Sequence, residues 1–454
     1  MNSKRSYQMR LSDQKQWIRT LIFVSEVLLS VIMLEVIVGN GGRWISIGPL
    51  TPRMIMALAV FVLSFPVVIY YARELFTFLH IKLLLVFFVY LAISSVIGYF
   101  NRNSLRVIFG DWTSFYMLFL VPIVTLIAIQ EQAIKQRIKT ISTVIVIGAG
   151  ILTLFTIGYH FIYQSVPQAS RIVLEKALSD LQFGGVALLG DSIARVYLRS
   201  QIFIPIAIFI LLASLIQTKS RQWIKIVVLG VLYFGLLLTF TRSYWIATFV
   251  AFVILLVLNR HQYKRLFKVF AISILPFLIL QGASQLVYHE NATLVGFQRI
   301  VLSYTPTNEN PGLVDNPNDN PANQSESDSL RNQLKSYLFN AIGKSPIVGH
   351  GAGYVVAESR PQGWTEYFYF DLVAKYGIIG CVSFLSFLLS LIYPLVVNRK
   401  QRYMDVALTT MSILMVVSYF NPYLNNAIGL PALLYVVFIA ASTQNRQIQV
   451  IETL

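Results

Sequence analysis

Apolar runs of about 15 to 22 residues recur along this chain, each close to the length an α-helix needs to cross roughly 30 Å of hydrocarbon. About twelve are readable, near 17–37, 54–71, 83–99, 115–129, 141–162, 201–216, 226–240, 244–258, 266–280, 378–397, 406–419 and 428–441. The pattern predicts an all-α integral membrane protein of about twelve transmembrane helices: nine in residues 1–280, and three, with a cytoplasmic tail, in 378–454. Residues 281–377 are the one long hydrophilic stretch, a large loop expected to contain short helices.

That loop has internal order. Residues 287–313 mix polar and apolar positions, and 314–327 read VDNPNDNPANQSES, too polar to pack. A helical period then places Leu330, Leu334, Leu338 and Ile342 on one face, with Ser327 or Asp328 as the cap. A Gly-rich turn, GHGAGY at 349–354, follows, and residues 366–376 predict a second short helix that runs into the next apolar span. Earlier in the chain, 163–200 is the other sizeable connection, with an amphipathic piece at 171–181 and a basic element at 191–199, both expected on the membrane surface.

Composition supports the membrane assignment: of 454 residues 56% are hydrophobic and 12% charged, and mean hydropathy is +0.65. The net charge of +16 is concentrated in alternate connections, such as Lys135, Arg137 and Lys139, or Arg260, Lys264, Arg265 and Lys268. By the positive-inside bias these face the cytoplasm, as do both termini, which leaves the 281–377 loop external. The charge therefore reads as a topological signal toward anionic lipids, and nucleic acid is discounted. Cys381 stands alone, so neither an intramolecular disulfide nor a Cys-rich metal site is expected. The first apolar run is long and contains Glu26 and Glu35, unlike a cleavable signal.

Chemistry-capable residues gather near the loop. Arg242, in LTFTRSYW, falls between two runs that leave almost no connection, so its guanidinium is expected at headgroup depth. There a planar fork of donors fits a phosphate or diphosphate, although an Arg that merely snorkels to lipid headgroups would look the same. Arg331 lies on the loop helix, where a solvated charge is the plain alternative. Glu366 opens an aromatic helix, EYFYFDL, either as a general base or as a first-turn carboxylate that complements the helix dipole. Asp371 is the rival acid. His350 is an accessory candidate, and Gly351 and Gly353 could bring backbone amides to an anion. No Walker loop, dinucleotide fingerprint, zinc motif or GxSxG elbow is present, so neither a cofactor nor a metal is implied.

Taken in order, LLTFTRSYWIA at a tight turn, SLRNQLKSYLFNAIGKSPIVGHGAGY, and EYFYFDLVAKYGIIG running into a span resemble the O-antigen ligase and O-antigen or exopolysaccharide polymerase family of membrane glycosyltransferases. The likeness is densest over about 238–389, and ISIGPLTPRMI near the front is similar too. The family's two arginines fall on Arg242 and Arg331. Its ligases typically carry His then Asn where this chain has Glu366 and Tyr367, a departure that favours a polymerase over a ligase.

The resemblance implies an oligosaccharide on a polyprenyl diphosphate as substrate, at the outer face of a bacterial inner membrane. Glu366 would take the acceptor proton, Arg242 and Arg331 would hold the diphosphate, and Arg195 and Arg199 would add phosphate contacts. A chain-length regulator and a flippase are the implied partners beside membrane lipids. The nearest alternative is a ligase that moves finished glycan to a lipid or protein. Of another class are a solute transporter and a flippase. Against them, no repeated halves are visible, and acids within the spans are largely Glu26 and Glu35.

The topology is testable. In a Cys381→Ser background, a cysteine at Asn320 should react with an impermeant reagent on intact cells. Reaction only after lysis would invert the orientation.

Overall fold

The computed structural model describes residues 16–41, 51–130, 134–189, 193–217, 222–288, 293–294, 321–356, 367–397 and 402–453. In chain order its helices are α1 (Gln16–Val38), α2 (Pro52–Tyr70), α3 (Ala72–Leu75), α4 (Leu79–Phe100), α5 (Leu105–Ser114), α6 (Val121–Ile129), α7 (Ile134–Ser165), α8 (Gln168–Asp180), α9 (Phe203–Gln217), α10 (Trp223–Leu238), α11 (Arg242–Leu258) and α12 (Tyr263–Tyr288). The set ends with α13 (Pro321–Lys344), α14 (Phe368–Val397), α15 (Arg402–Phe420) and α16 (Gly429–Thr453). The all-α membrane architecture read from hydropathy is the one observed.

The number of spans is less uniform than the sequence suggests. Among the described residues eight helices have the length and hydropathy of a span, and α5 with the Tyr116–Ile129 segment makes a ninth, bent by 46°. The remaining apolar runs fall on α10, α11 and Gly429–Gln444, which are shorter. At 1.5 Å per residue the 16 residues of α10 reach only about 24 Å, so an apolar run need not be a full crossing. Packing explains why such short helices persist: every residue from Leu430 to Ala441 for which exposure decides the matter, such as Leu430, Val436 and Ala440, is fully covered by protein.

The chain forms two compact units, each assembled from separated segments. One comprises Met1–Met33, Pro52–Ile141 and Leu330–Leu454; the other comprises Leu34–Thr51 and Ser142–Ser329. In the first, α14 lies along α4 and also meets α15 and α16, while α16 packs on α6. Its centre is aromatic: Phe87, Phe115, Phe368, Phe384 and Phe387 are all buried, and Phe384 meets Phe87 at 5.1 Å and Phe368 at 5.6 Å between ring centroids. In the second unit α10 packs between α9 and α12. Gly230 permits this, because a β-carbon there would overlap Pro276 and the Ser273 carbonyl.

Two local expectations need correction. The basic element at 191–199 is the return strand of an antiparallel hairpin, β1 (Gly184–Leu189) with β2 (Ile193–Leu198), paired from Gly184↔Leu198 to Leu189↔Ile193. The cause is period-two alternation: Ala194, Val196 and Leu198 are buried, while Tyr197 and Arg199 are exposed. The amphipathic piece at 171–181 does form a helix, α8, against β1. The other correction concerns α13, which starts at Pro321 and so takes in the end of the stretch read as too polar to pack. Proline's fixed φ suits a first helical position, where its missing N–H would have no partner anyway. Residues 314–320 lie outside the described set.

A buried charge cluster ties α4, α5, the Gly-rich turn and α14 together. Lys375 Nζ lies 2.9 Å from Asp111 Oδ1 on α5 and 3.1 Å from Asp371 Oδ2 one turn earlier on its own helix. The other Asp111 oxygen accepts the Gly353 N–H at 2.7 Å. All three side chains are about nine-tenths buried. Removing one partner of a buried ion pair leaves uncompensated charge, so Lys375→Met should lower stability by ~3–5 kcal/mol, read as a fall in melting temperature in detergent. The triple variant with Asp111→Asn and Asp371→Asn added should recover most of the loss. Equal melting of Lys375→Met and the unaltered protein would show that the cluster does not hold these elements.

Candidate functional site

The first unit presents the Gly-rich turn. Gly349, Gly351 and Gly353 all have positive φ, between 74° and 86°, which side-chain-bearing residues rarely adopt. Space is restricted as well: a β-carbon at Gly351 would overlap the backbone of Gly98 on α4, and one at Gly349 would overlap Lys375 and Gly377 on α14. The turn is therefore sandwiched between two helix backbones.

Its hydrogen bonds are taken within the protein. His350 N donates to Ala374 O (3.0 Å), Gly351 N to Lys375 O (2.9 Å), Ala352 N to Ser94 O (2.9 Å) and Gly353 N to Asp111. On the carbonyl side, Asn103 Nδ2 donates to His350 O (3.2 Å) and Ala352 O (2.9 Å), and Asn101 Nδ2 to His350 O (3.0 Å). The anion that the turn approaches is thus the chain's own Asp111 carboxylate. The His350 ring bonds Ala341 O on α13 (2.9 Å) and stacks on Tyr354 at 4.3 Å, which fastens that helix to the turn. Asp371, considered above as a rival base, is the buried partner of Lys375.

Helix α14 breaks immediately after this contact. Gly377, at φ 65° and ψ −173°, separates Phe368–Tyr376 from the apolar length that begins at Ile378. Ile378 N then bonds Pro346 O and Ile379 N bonds Ile347 O, so the break also is held by the turn. The short helix expected from 366 to 376 is this first segment. Glu366 itself lies outside the described residues, directly before Tyr367. Arg331 is in α13, one turn ahead of Lys335.

The second unit presents the arginine turn. Helices α10 and α11 are separated only by Thr239, Phe240 and Thr241, and Phe240 is buried at φ 44°. Positive φ is strained for a bulky residue and must be held by its surroundings. Here Trp245 Nε1 donates to Leu236 O (3.1 Å) across the turn, and Thr239 Oγ1 donates to the same carbonyl (2.8 Å). Arg242 follows as the first residue of α11, where the unbonded amides of the helix start carry partial positive charge. It is half-buried.

Arg195 on β2 reaches the same turn: its Nε donates to Thr239 O (3.2 Å), its Nη2 to Thr241 Oγ1 (3.4 Å), and its guanidinium lies 5.2 Å from the Tyr197 ring. Arg195 and Arg242 therefore flank one tight turn, with a helix start adding to their positive potential, an arrangement chemically suited to an anion. Arg199 is exposed just beyond β2, in the Arg199–Ile202 turn, with its backbone N–H on Phe183 O (3.2 Å). Among the described residues no group of three or more His, Cys, Asp or Glu side chains is placed to hold a metal ion.

Sequence reading overlooked Asn103, Asp111 and Lys375. A signal existed for the last two. Asp371 and Lys375 are an i, i+4 pair in an apolar helix, and Asp111 is a single acid inside LRVIFGDWTSFYMLFL. Each called for a partner, but which one could not be read.

Compared with known families, residues 226–385 match the family model described as O-antigen ligase. The match starts within α10, crosses the Arg242 turn, covers Arg331 and the Glu366 position, and ends eight residues beyond the α14 break. A search of curated proteins gave no match. The segment that carries both arginines and the loop acid is thus an O-antigen ligase domain, and it sets this chain in the O-antigen ligase and polymerase family.

Proposed function

We propose that this protein is a polysaccharide polymerase that joins polyprenyl-diphosphate-linked oligosaccharide repeat units at the outer face of a bacterial inner membrane. The observation that carries the reading is the family match over 226–385, a segment in which a carboxylate stands where the family's ligases keep a histidine. A ligase that transfers the glycan to a lipid or protein acceptor is the second reading, favoured by the family's own description. Deletion of the protein separates them. A polymerase mutant should lose the glycan ladder and retain single capped repeats, whereas a ligase mutant should accumulate lipid-linked polymer with no acceptor-bound form.

In this scheme an acceptor hydroxyl attacks the anomeric carbon of the donor sugar. The new glycosidic C–O bond forms as the bond to the diphosphate breaks, with the hydroxyl proton passing to Glu366 and the electron pair leaving on the diphosphate. Arg242 and Arg331 stabilise that departing charge, with Arg195 and Arg199 as further contacts, so arginines supply what a metal would otherwise provide. His350, Asp371, Gly351 and Gly353 shape the site: their bonds to Ala341, Lys375 and Asp111 set where α13 and the start of α14 lie.

Arg242→Ala and Arg331→Ala should each reduce polymer formation by on the order of 10²-fold or more with membrane levels unchanged, and Lys should rescue only in part, because an ammonium lacks the bidentate fork. Normal polymer from Arg331→Ala would return that residue to a solvated role.

Glu366→Gln should keep the shape and lose on the order of 10²-fold or more in rate, while Glu366→Asp retains some activity. Purified Glu366→Gln that extends lipid-linked repeats at near the unaltered rate would remove it as the base.

A further inference from the structure

The start of α14 carries more aromatic surface than its packing consumes. Phe370 lies against Phe339 of α13, Tyr367 and Tyr419 of α15, at ring-centroid distances of 4.9, 5.8 and 5.9 Å, and Tyr367 meets Tyr419 at 6.3 Å. The inner side of this group rests on a small core of Leu338, Ala341, Val356 and Ala374. Its outer side is open, with Phe339 50% and Tyr419 39% exposed. Lys335 places its ammonium 5.9 Å from the centroids of both Phe339 and Phe370. Four rings thus converge on one cation beside the residue that follows Glu366.

Aromatic side chains at a membrane surface commonly serve as headgroup anchors, but such belts are spread around a bundle. A cluster folded around a single ammonium has the features of a ligand platform instead: a broad apolar face with a few polar groups at its rim. Aromatic faces carry negative charge density, which complements the C–H face of a pyranose ring. The sugar's hydroxyls need polar partners at the edge, and the Lys335 ammonium and tyrosine hydroxyls meet that need.

We propose that this cluster is the acceptor-sugar subsite, with a pyranose ring stacked on Phe339 and Tyr419 and its hydroxyls bonded by Lys335. Because Glu366 directly precedes Tyr367, a sugar seated here delivers its reacting hydroxyl to that carboxylate. The inference rests on the glycosyl-transfer reading, since only an acceptor sugar needs to sit beside the base.

The probe is the repeat-unit oligosaccharide released by mild acid from the cell's own lipid-linked pool, titrated calorimetrically into the full chain in nanodiscs. Binding should weaken about tenfold in Phe339→Ala and in Tyr419→Ala, and remain in Phe339→Trp and Tyr419→Phe, which keep a ring face. In turnover, Phe339→Ala should raise KM for the acceptor by about the same factor and change kcat little. Unchanged affinity in both alanine variants overturns the proposal, as does equal loss in Phe339→Trp, which would mean that a ring face is not what is recognised. Failure of the unaltered protein to bind the oligosaccharide leaves a headgroup anchor and also overturns it. The subsite and the base are separable: Glu366→Gln should still bind the oligosaccharide, and if it turned over normally only the base assignment would fall.

Discussion

A buried ammonium must be matched by negative charge, and here that requirement joins parts of the chain that hydropathy alone would leave independent. Lys375 lies between Asp111 and Asp371, and Asp111 spends its second oxygen on the amide of Gly353. Taking such charges out of water costs several kcal/mol per ion, which is offset only when geometry is close and the remaining oxygens are hydrogen-bonded. The cluster meets both conditions. One consequence is directional: α5, the Gly-rich turn and the first segment of α14 are fixed against one another, and the break at Gly377 starts from a defined point.

The Gly-rich turn illustrates how such a constraint redistributes roles. Glycines near a membrane surface, followed by an aromatic helix, look like an anion cradle because their amides are accessible in principle. In the folded protein those amides meet Ala374, Lys375, Ser94 and Asp111, and Asn103 occupies the carbonyls. A backbone so fully engaged is rigid, which is what a neighbouring catalytic side chain requires. Positioning to within fractions of an ångström comes from supporting bonds more than from the reacting residue itself.

The arginine turn is governed by a different constraint. Two apolar helices joined by only Thr239, Phe240 and Thr241 cannot avoid a strained residue, and Phe240 takes that strain at positive φ. Burial of its ring and the bond from Trp245 to Leu236 hold it there. The same tightness puts Arg242 at a helix start, and Arg195 arrives from the hairpin to bond the turn's carbonyl and hydroxyl. Positive potential is concentrated there by backbone geometry as much as by side-chain charge.

What the sequence determined by itself follows from local rules. Hydropathy located each apolar helix, because a helix that meets hydrocarbon must be apolar over its whole length; helical spacing found α13; and the unbroken apolar runs around Arg242 implied its tight turn. The hairpin was missed although Ala194, Val196 and Leu198 alternate with Arg195, Tyr197 and Arg199, because a short alternating run among long helices reads weakly until a partner strand is known. Tertiary structure alone decided the partners. Nothing local links Asp111 to Lys375, 264 residues away, or Asn103 to Ala352, since charge compensation and hydrogen bonding act through space and are indifferent to the intervening chain.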